Sequence, residues 1–110
     1  GSKLAAGGAK AVKELEKEQK TRSTRLVRDY LDRALLDLAT LYRDVMLVQA
    51  GVSESLINSD LKTEITKMAD SIAESKTLLK IQVILKARTN LAHNAAPLLT
   101  IEALMCELRR

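Results

Sequence analysis

The sequence is poor in aromatic residues: it has two tyrosines, Tyr30 and Tyr42, and contains neither Phe nor Trp. Surfaces that bind single-stranded nucleic acid by base stacking are built from aromatic side chains, so two tyrosines provide almost nothing from which to build such a surface. A core without large rings must be filled by Leu, Ile, Val, Ala and Met, which favours closely packed helices. With 110 residues, the chain has the length of one small domain.

Cysteine and histidine each occur once, as Cys106 and His93. A single cysteine forms no internal disulfide, which is typical of a reducing, cytoplasmic compartment. Structural zinc needs several Cys or His ligands, and phosphate-binding loops need a glycine-rich motif that the sequence does not contain. We therefore expect no catalytic residue, no metal site and no cofactor, and we predict that the chain is not an enzyme.

Helix breakers and long apolar runs are also scarce. Glycine occurs at positions 1, 7, 8 and 51, and Pro97 is the one proline. No apolar run approaches the roughly 18 residues that cross a membrane, so we expect no membrane partner. From Ala9 onward Leu, Ala, Lys, Glu and Arg dominate, without the apolar–polar alternation of a half-buried strand. The composition therefore predicts an all-α fold.

Positive charge is concentrated at the N-terminal end. Residues 1–28 carry eight Lys or Arg against three Glu, whereas residues 29–110 carry ten basic against eleven acidic side chains. We divide the chain accordingly into a charged helical arm or linker, residues 1–22, and a helical domain, residues 23–110. Candidates for phosphate contacts in and beside the arm are Lys10, Lys13, Lys17, Lys20, Arg22 and Arg25. Three glutamates interrupt them in sequence, which favours a solvated arm over a nucleic-acid site.

Apolar residues recur at helical spacing in the rest of the chain. The clearest stripe, stepping by three and four residues, is Val27, Leu31, Ala34, Leu38, Leu41, Val45 and Val48. Gly51 is placed to end that helix. Further helices are predicted from Leu61, from Ser75, which we expect to cap its helix, and from Pro97, which suits a first helical turn. With the arm, the sequence predicts a bundle of about five helices.

The tail LAHNAAPLLTIEALMCELRR (91–110) holds the histidine, the proline and the cysteine of the chain, which raises the question of a reactive pair. Nucleophilic catalysis needs a base within reach of the thiol and a third group that orients the base. Cys106 follows Met105 in an apolar segment, where cysteine acts as a small hydrophobic residue. His93 lies at a helix end, where positive charge is favourable. We interpret both as structural residues and expect Cys106 to fill space in an apolar face.

The last two predicted helices carry more apolar residues than a small bundle needs. Excess apolar surface of this kind is typical of association with a partner. The residues that we predict to form the interface, on the outer flank of these helices, are Leu79, Val83, Leu99 and Met105.

Three stretches carry a resemblance to a known family. They are LYRDVML (41–47), NSDL (58–61) and the pattern N…N-x-x-P-x-L-x-x-E-x-L…L (90–108). They are similar to the C-terminal domain of the bacterial DNA polymerase III delta-prime protein, which belongs to the clamp loader. One position departs, because Ala96 stands where the family often has an asparagine, so a side-chain cap of the last helix is expected to be missing.

The resemblance implies a non-catalytic helical collar domain, which holds the pentameric clamp loader together while it loads the sliding clamp in DNA replication. It implies gamma/tau-type and delta-type clamp-loader subunits as partners, with at most weak or indirect contact to nucleic acid through the arm. Two alternatives stay open. One is the collar of the related gamma/tau protein, and the other is a free-standing helical adaptor that binds nucleic acid through its basic arm.

Overall fold

The computed structural model describes residues 2–110, without the side chain of Ser2; the first residue of the predicted arm, Gly1, lies outside it. The helices are α1 (Ser2–Gln49), α2 (Lys62–Ser71), α3 (Glu74–Ala92) and α4 (Pro97–Leu108), and a 3-10 turn (Ser59–Leu61) precedes α2. Residues 2–110 contain no strand, which confirms the predicted all-α bundle. The helices number four rather than about five, because the first two predicted segments form one helix.

Helix α1 is continuous through the TRST stretch at 21–24. The hydroxyls of Thr21 and Thr24 donate to the carbonyls of Lys17 and Lys20, both at 2.9 Å, so these side chains are satisfied within the helix. No glycine or proline falls between Gly8 and the end of α1. At about 1.5 Å per residue, such a helix accounts for the 75 Å long axis of the molecule.

Two helices end in the same backbone motif. Gly51 adopts φ 79°, and the N–H groups of Gly51 and Val52 donate to the carbonyls of Val48 (3.0 Å) and Leu47 (2.9 Å). This is a Schellman cap, which confirms the predicted role of Gly51. Helix α3 ends likewise, with Asn94 at φ 65° in the glycine position. Asparagine tolerates this left-handed conformation better than most residues.

The helix N-termini differ from the predictions at one point and agree at another. Helix α3 starts one residue before Ser75, after Ala73, whose side chain makes no capping hydrogen bond, so the predicted Ser75 cap is wrong. Helix α4 starts at Pro97 and, as expected, has no side-chain cap at Ala96. The Thr100 hydroxyl donates to the Ala96 carbonyl at 2.9 Å in this first turn.

The core lies where α3 packs between α1 and α4. It consists of Leu35, Ala39, Ile84, Ala87, Leu91 and Leu104. The predicted stripe of α1 is therefore displaced: Leu31 and Leu38 pack at the edge of the core, whereas Val27 and Ala34 are exposed. The displacement arises because α1 packs against both α3 and α2; Val45 on α1 and Ile65 on α2 are fully buried.

Candidate partner-binding site

Asp44 on α1 is fully buried although it carries a carboxylate. Its Oδ1 accepts the Ile57 N–H at 3.0 Å, and its Oδ2 accepts the N–H (2.7 Å) and the side-chain amide (2.8 Å) of Asn58. These bonds hold the loop between α1 and α2 against α1. The stretches LYRDVML and NSDL, separate in sequence, thus meet in one contact. No pattern in the sequence indicates this role, because an aspartate between Arg43 and Val45 also fits a solvated helix position.

The pKa of the Asp44 carboxyl is held below its ordinary value of 3.8. Burial alone would raise it, but the N–H groups of Asn58 and Ile57, the Asn58 amide and the Arg43 guanidinium, 3.6 Å away, all favour the charged form. A lowered folded-state pKa stabilises the fold above pH 3.8, and this stabilisation is lost as the pH falls through the lowered value.

A second polar contact, between half-buried Gln49 and buried Thr77, joins three helices at the same end of the bundle. The Gln49 amide nitrogen donates to the carbonyls of Ala69 (3.2 Å) and Ile72 (2.9 Å), at the end of α2. Its oxygen accepts the Thr77 hydroxyl at 2.8 Å. Thr77 is fully buried in the first turns of α3. This contact fixes where α3 begins relative to α1 and α2.

Arginines join α1 to the other end of α3. Arg88 forms a bidentate pair with Asp32, through Nε to Oδ1 (2.9 Å) and Nη2 to Oδ2 (3.2 Å). The Arg88 hydrogen bond holds the pKa of Asp32 below its ordinary range. Arg28 donates to the Leu91 carbonyl at 2.9 Å and so caps the end of α3. The orientation of α3 is therefore fixed at both ends.

Lysines of α3 bind backbone oxygens at and just beyond the end of α4. Lys80 Nζ donates to the carbonyl of Leu108, the last residue of α4 (2.5 Å), and Lys76 Nζ donates to the backbone oxygen of Arg110, two residues further on (2.8 Å). The two helices therefore run antiparallel, with the end of α4 beside the start of α3. Cations at a helix C-terminus stabilise the exposed carbonyls.

The four predicted interface residues lie on the two helices fixed in this way. Leu79 is 57% exposed, and Val83, half-buried, lies beside it in a groove between α3 and the end of α4. On α4, Leu99 is 66% exposed and Met105 is also exposed. Since they are six residues apart, Leu99 and Met105 point about 120° away from each other. The structure thus brings Leu79 and Val83 together, while Leu99 and Met105 lie outside that groove.

Further large apolar side chains are exposed on the same two helices. Leu78 and Leu85 form a second apolar flank of α3, and Leu98 adjoins Leu99 on α4. Neither Leu78 nor Leu85 is among the four residues predicted to form the interface. Helical periodicity reveals an apolar face, whereas its exposure depends on where the neighbouring helices lie.

The candidate phosphate-contacting residues all lie on the exposed part of α1, residues 3–27. At about 100° per residue, Lys10, Lys13, Lys17 and Lys20 fall within an arc of about 80°. The three glutamates lie about 80–120° from the centre of that arc, so they flank the lysines instead of interrupting them. Arg22 points almost to the opposite side. Arg25 lies at the C-terminal end of this exposed part, where it lines the same shallow pocket as Arg28 and Asn94.

His93 and Cys106 lie at opposite ends of the α3–α4 hairpin. His93 ends α3 beside the turn into α4, whereas Cys106 is nine residues along α4, about 14 Å from its start. The separation excludes a reactive pair. Cys106 is exposed, so the expectation that it fills space in an apolar face is wrong. It lies about 160° around α4 from the buried Leu104.

Among residues 2–110, no group of three or more His, Cys, Asp or Glu side chains is arranged to hold a metal ion. Across the same range, no helix is both long and apolar enough to span a membrane.

Comparison with known proteins assigns the family. The family model that describes the C-terminal part of the DNA polymerase III delta subunit matches residues 13–109, which is most of the chain. The chain therefore belongs to this family and is a clamp-loader-related domain, from a part of the protein that is non-catalytic. No curated protein and no solved structure matches it.

Proposed function

We propose that the chain is a collar domain of delta-prime type, which assembles with gamma/tau-type and delta-type subunits and so holds a bacterial, cytoplasmic clamp loader together. Residues 23–110 form the collar, and residues 1–22 are an arm or linker. The family match supports a clamp-loader role, and the three stretches quoted above support the delta-prime type.

The exposed apolar surface of α3 and α4 is the observation that carries the proposal. Leu79, Leu98 and Leu99 are all more than half exposed on helices that are otherwise tightly fixed. Each such leucine contributes about 1.5–3 kcal/mol when it is buried against a neighbouring protein. Because α3 is fixed at both ends, its backbone is already ordered before binding, so little backbone entropy is lost when this surface is covered.

Leu99→Asp tests the interface directly. We expect the variant to lose association with gamma/tau-type and delta-type subunits, measured by sedimentation velocity, while its melting temperature stays unchanged. Leu15→Asp is the matched control, because Leu15 is 55% exposed on α1, thirteen residues before Arg28, the residue that contacts the end of α3. Equal association of wild type and Leu99→Asp would contradict the proposal.

The delta-prime assignment needs its own experiment, since the matched family is described only by the delta subunit. Purified delta, delta-prime and gamma/tau subunits are allowed to assemble, and the chain is added as a competitor. A delta-prime-type collar is expected to displace delta-prime alone. Displacement of gamma/tau instead would support the alternative collar.

A second candidate function, binding of nucleic acid through the arm, is favoured by one observation. Lys10, Lys13, Lys17 and Lys20 form a basic stripe on a fully exposed helix segment, with the glutamates to either side. Lysines aligned in this way match the repeated charge of a phosphate backbone.

A DNA titration tests this candidate. The chain is compared with a variant that lacks residues 1–25, and with Lys13→Gln/Lys17→Gln. If DNA binds the lysine stripe, both changes should weaken the affinity for DNA and reduce its salt dependence. Arg22→Gln, on the opposite side of the helix, is the control. Equal binding by all four proteins would exclude the arm as a nucleic-acid site.

A further inference from the structure

The groove between α3 and the end of α4 differs in character from the other exposed apolar surfaces. It has a volume of about 360 Å³, and its lining includes Leu79 and Val83 with three lysines, Lys76, Lys80 and Lys86. Leu79 and Val83 are the apolar residues of this lining and are called its floor below; the three lysines belong to the same helix, α3.

The charge of the groove is positive. On the α4 side, Arg110 and Glu107 line it and lie 3.7 Å apart as an ion pair, so they largely neutralise each other. Lys80 donates one hydrogen bond to the Leu108 carbonyl, and Lys76 donates one to the backbone oxygen of Arg110, but an ammonium group has three N–H donors. Lys86 is exposed at the other end. The groove therefore presents cations at both ends of an apolar floor.

The spacing of these groups defines the size of an occupant. Lys76 and Lys86 are ten residues apart on α3, which corresponds to about 15 Å along the axis. Leu79 and Val83 lie between them, one helical turn apart. A helix of about three turns, with two apolar residues on one face and carboxylates at both ends, matches this arrangement.

We propose that this groove binds an acidic amphipathic helix of a partner protein. The lysines alone would suit any polyanion, but a phosphate backbone offers nothing apolar to cover Leu79 and Val83. An acidic helix satisfies both the cations and the floor. The inference rests on the proposed function, since Leu79 and Val83 belong to the predicted interface, and it names the partner element that meets them.

Synthetic peptides of about 14 residues provide the probes. The first has two leucines at i and i+4 with glutamates at both ends. The second keeps the leucines and has lysines in place of the glutamates, and the third keeps the glutamates and has serines in place of the leucines. We expect the first alone to bind and to shift the methyl NMR signals of Leu79 and Val83, with an affinity that falls as salt is added.

Variants of the chain locate the binding. Leu79→Glu is expected to weaken the acidic peptide at least about tenfold, as expected for a central apolar contact. Leu85→Glu is the matched control, since Leu85 is exposed on the other flank of α3. This variant should bind the acidic peptide as tightly as wild type does. Lys86→Glu should weaken the acidic peptide and allow a peptide with lysine at the matching end to bind. Melting temperatures show that each variant is folded.

Four results would overturn the inference. Three are no binding of the acidic peptide, equal binding of the lysine peptide, and equal losses of affinity in Leu79→Glu and Leu85→Glu. The fourth is equal binding of the serine peptide and the first peptide, which would make the groove a polyanion site. Failure of the proposed function looks different: the chain would not associate with clamp-loader subunits, yet the acidic peptide would still shift Leu79 and Val83.

Discussion

The two halves of α1 have the same secondary structure and opposite surroundings. Residues 3–27 are exposed throughout, whereas residues 28–49 contact α2, α3 and α4 and include the buried Leu35, Asp44 and Val45. One continuous helix is thus exposed to solvent over its N-terminal half and packed in the bundle over its C-terminal half. Helix formation by itself does not decide whether a segment belongs to the core.

Polar groups distinguish the halves as clearly as apolar ones. In the arm, charged side chains face solvent, and lysines and glutamates separate onto different arcs. In the bundle, Asp44 and Gln49 face inward and bind backbone groups of other segments. Buried polar groups must be hydrogen-bonded, so these residues specify a unique arrangement of loop and helices.

The largest expected difference between the halves comes from matched leucines. Leu35 is 4% exposed and Leu15 is 55% exposed, in the same helix. Leu35→Ala is expected to lower the free energy of unfolding by about 3 kcal/mol through lost burial and a cavity. Leu15→Ala should change it by less than about 0.5 kcal/mol. Urea denaturation measures both, and equal losses would mean that the arm is packed.

Removing the Asp44 carboxylate has the next largest effect. Asp44→Ala leaves two backbone N–H groups and the Asn58 amide without an acceptor, and we expect a loss of about 2–3 kcal/mol. Asp37→Ala is the control, because Asp37 makes only an exposed pair with Arg33, at 3.4 Å, and should cost less than about 0.5 kcal/mol. The same denaturation experiment applies, and comparable losses would refute the anchoring role of Asp44.

Gln49→Ala should lower the free energy of unfolding by about 1–2 kcal/mol, less than Asp44→Ala, since neutral hydrogen bonds are weaker than those to a carboxylate. Gln82→Ala, at an exposed position of α3, serves as the control and should be neutral. A loss confined to Gln49→Ala supports its role in joining α1, α2 and α3. The proposed contact with Thr77 fails if Gln49→Ala and Thr77→Val give additive losses in a double-mutant cycle.

The smallest effect is on the acid side of the stability curve. Because the pKa of Asp44 is lowered in the fold, wild type should lose stability as the pH falls below 3.8. Asp44→Asn removes that titration, so its free energy of unfolding should fall less steeply at acid pH than that of wild type. Asp32→Asn, near the surface, is the variant for comparison, since the pKa of Asp32 is also lowered. Parallel acid limbs for wild type and Asp44→Asn would contradict the lowered pKa.

Much of the fold follows from sequence patterns, and the failures have physical causes. Breaker positions and apolar spacing predicted the all-α class, the cap at Gly51 and the helix start at Pro97. The buried face of α1 differs from the predicted one because helical spacing defines an apolar stripe, whereas burial depends on where the neighbouring helices pack against it. Ser75 and Cys106 were misplaced for similar reasons: a capping residue type and an apolar neighbourhood do not determine position.

The candidate site was less predictable than the fold. The sequence indicated excess apolar surface on the last two helices, but Leu79 and Val83 form a groove only because the end of α4 lies beside the start of α3. Asp44 and Asn58 are fourteen positions apart in the sequence, and their contact cannot be predicted from helical periodicity. It joins two of the stretches that carried the resemblance, so the resemblance reflects a structural contact.

Hydrogen exchange, measured on the chain alone and in complex with gamma/tau-type and delta-type subunits, tests the central claim most directly. Binding through the outer faces of α3 and α4 predicts slower exchange in both helices on assembly, with residues 3–27 unchanged. Slower exchange confined to residues 3–27, with α3 and α4 unaffected, would contradict the account and identify the arm as the interface.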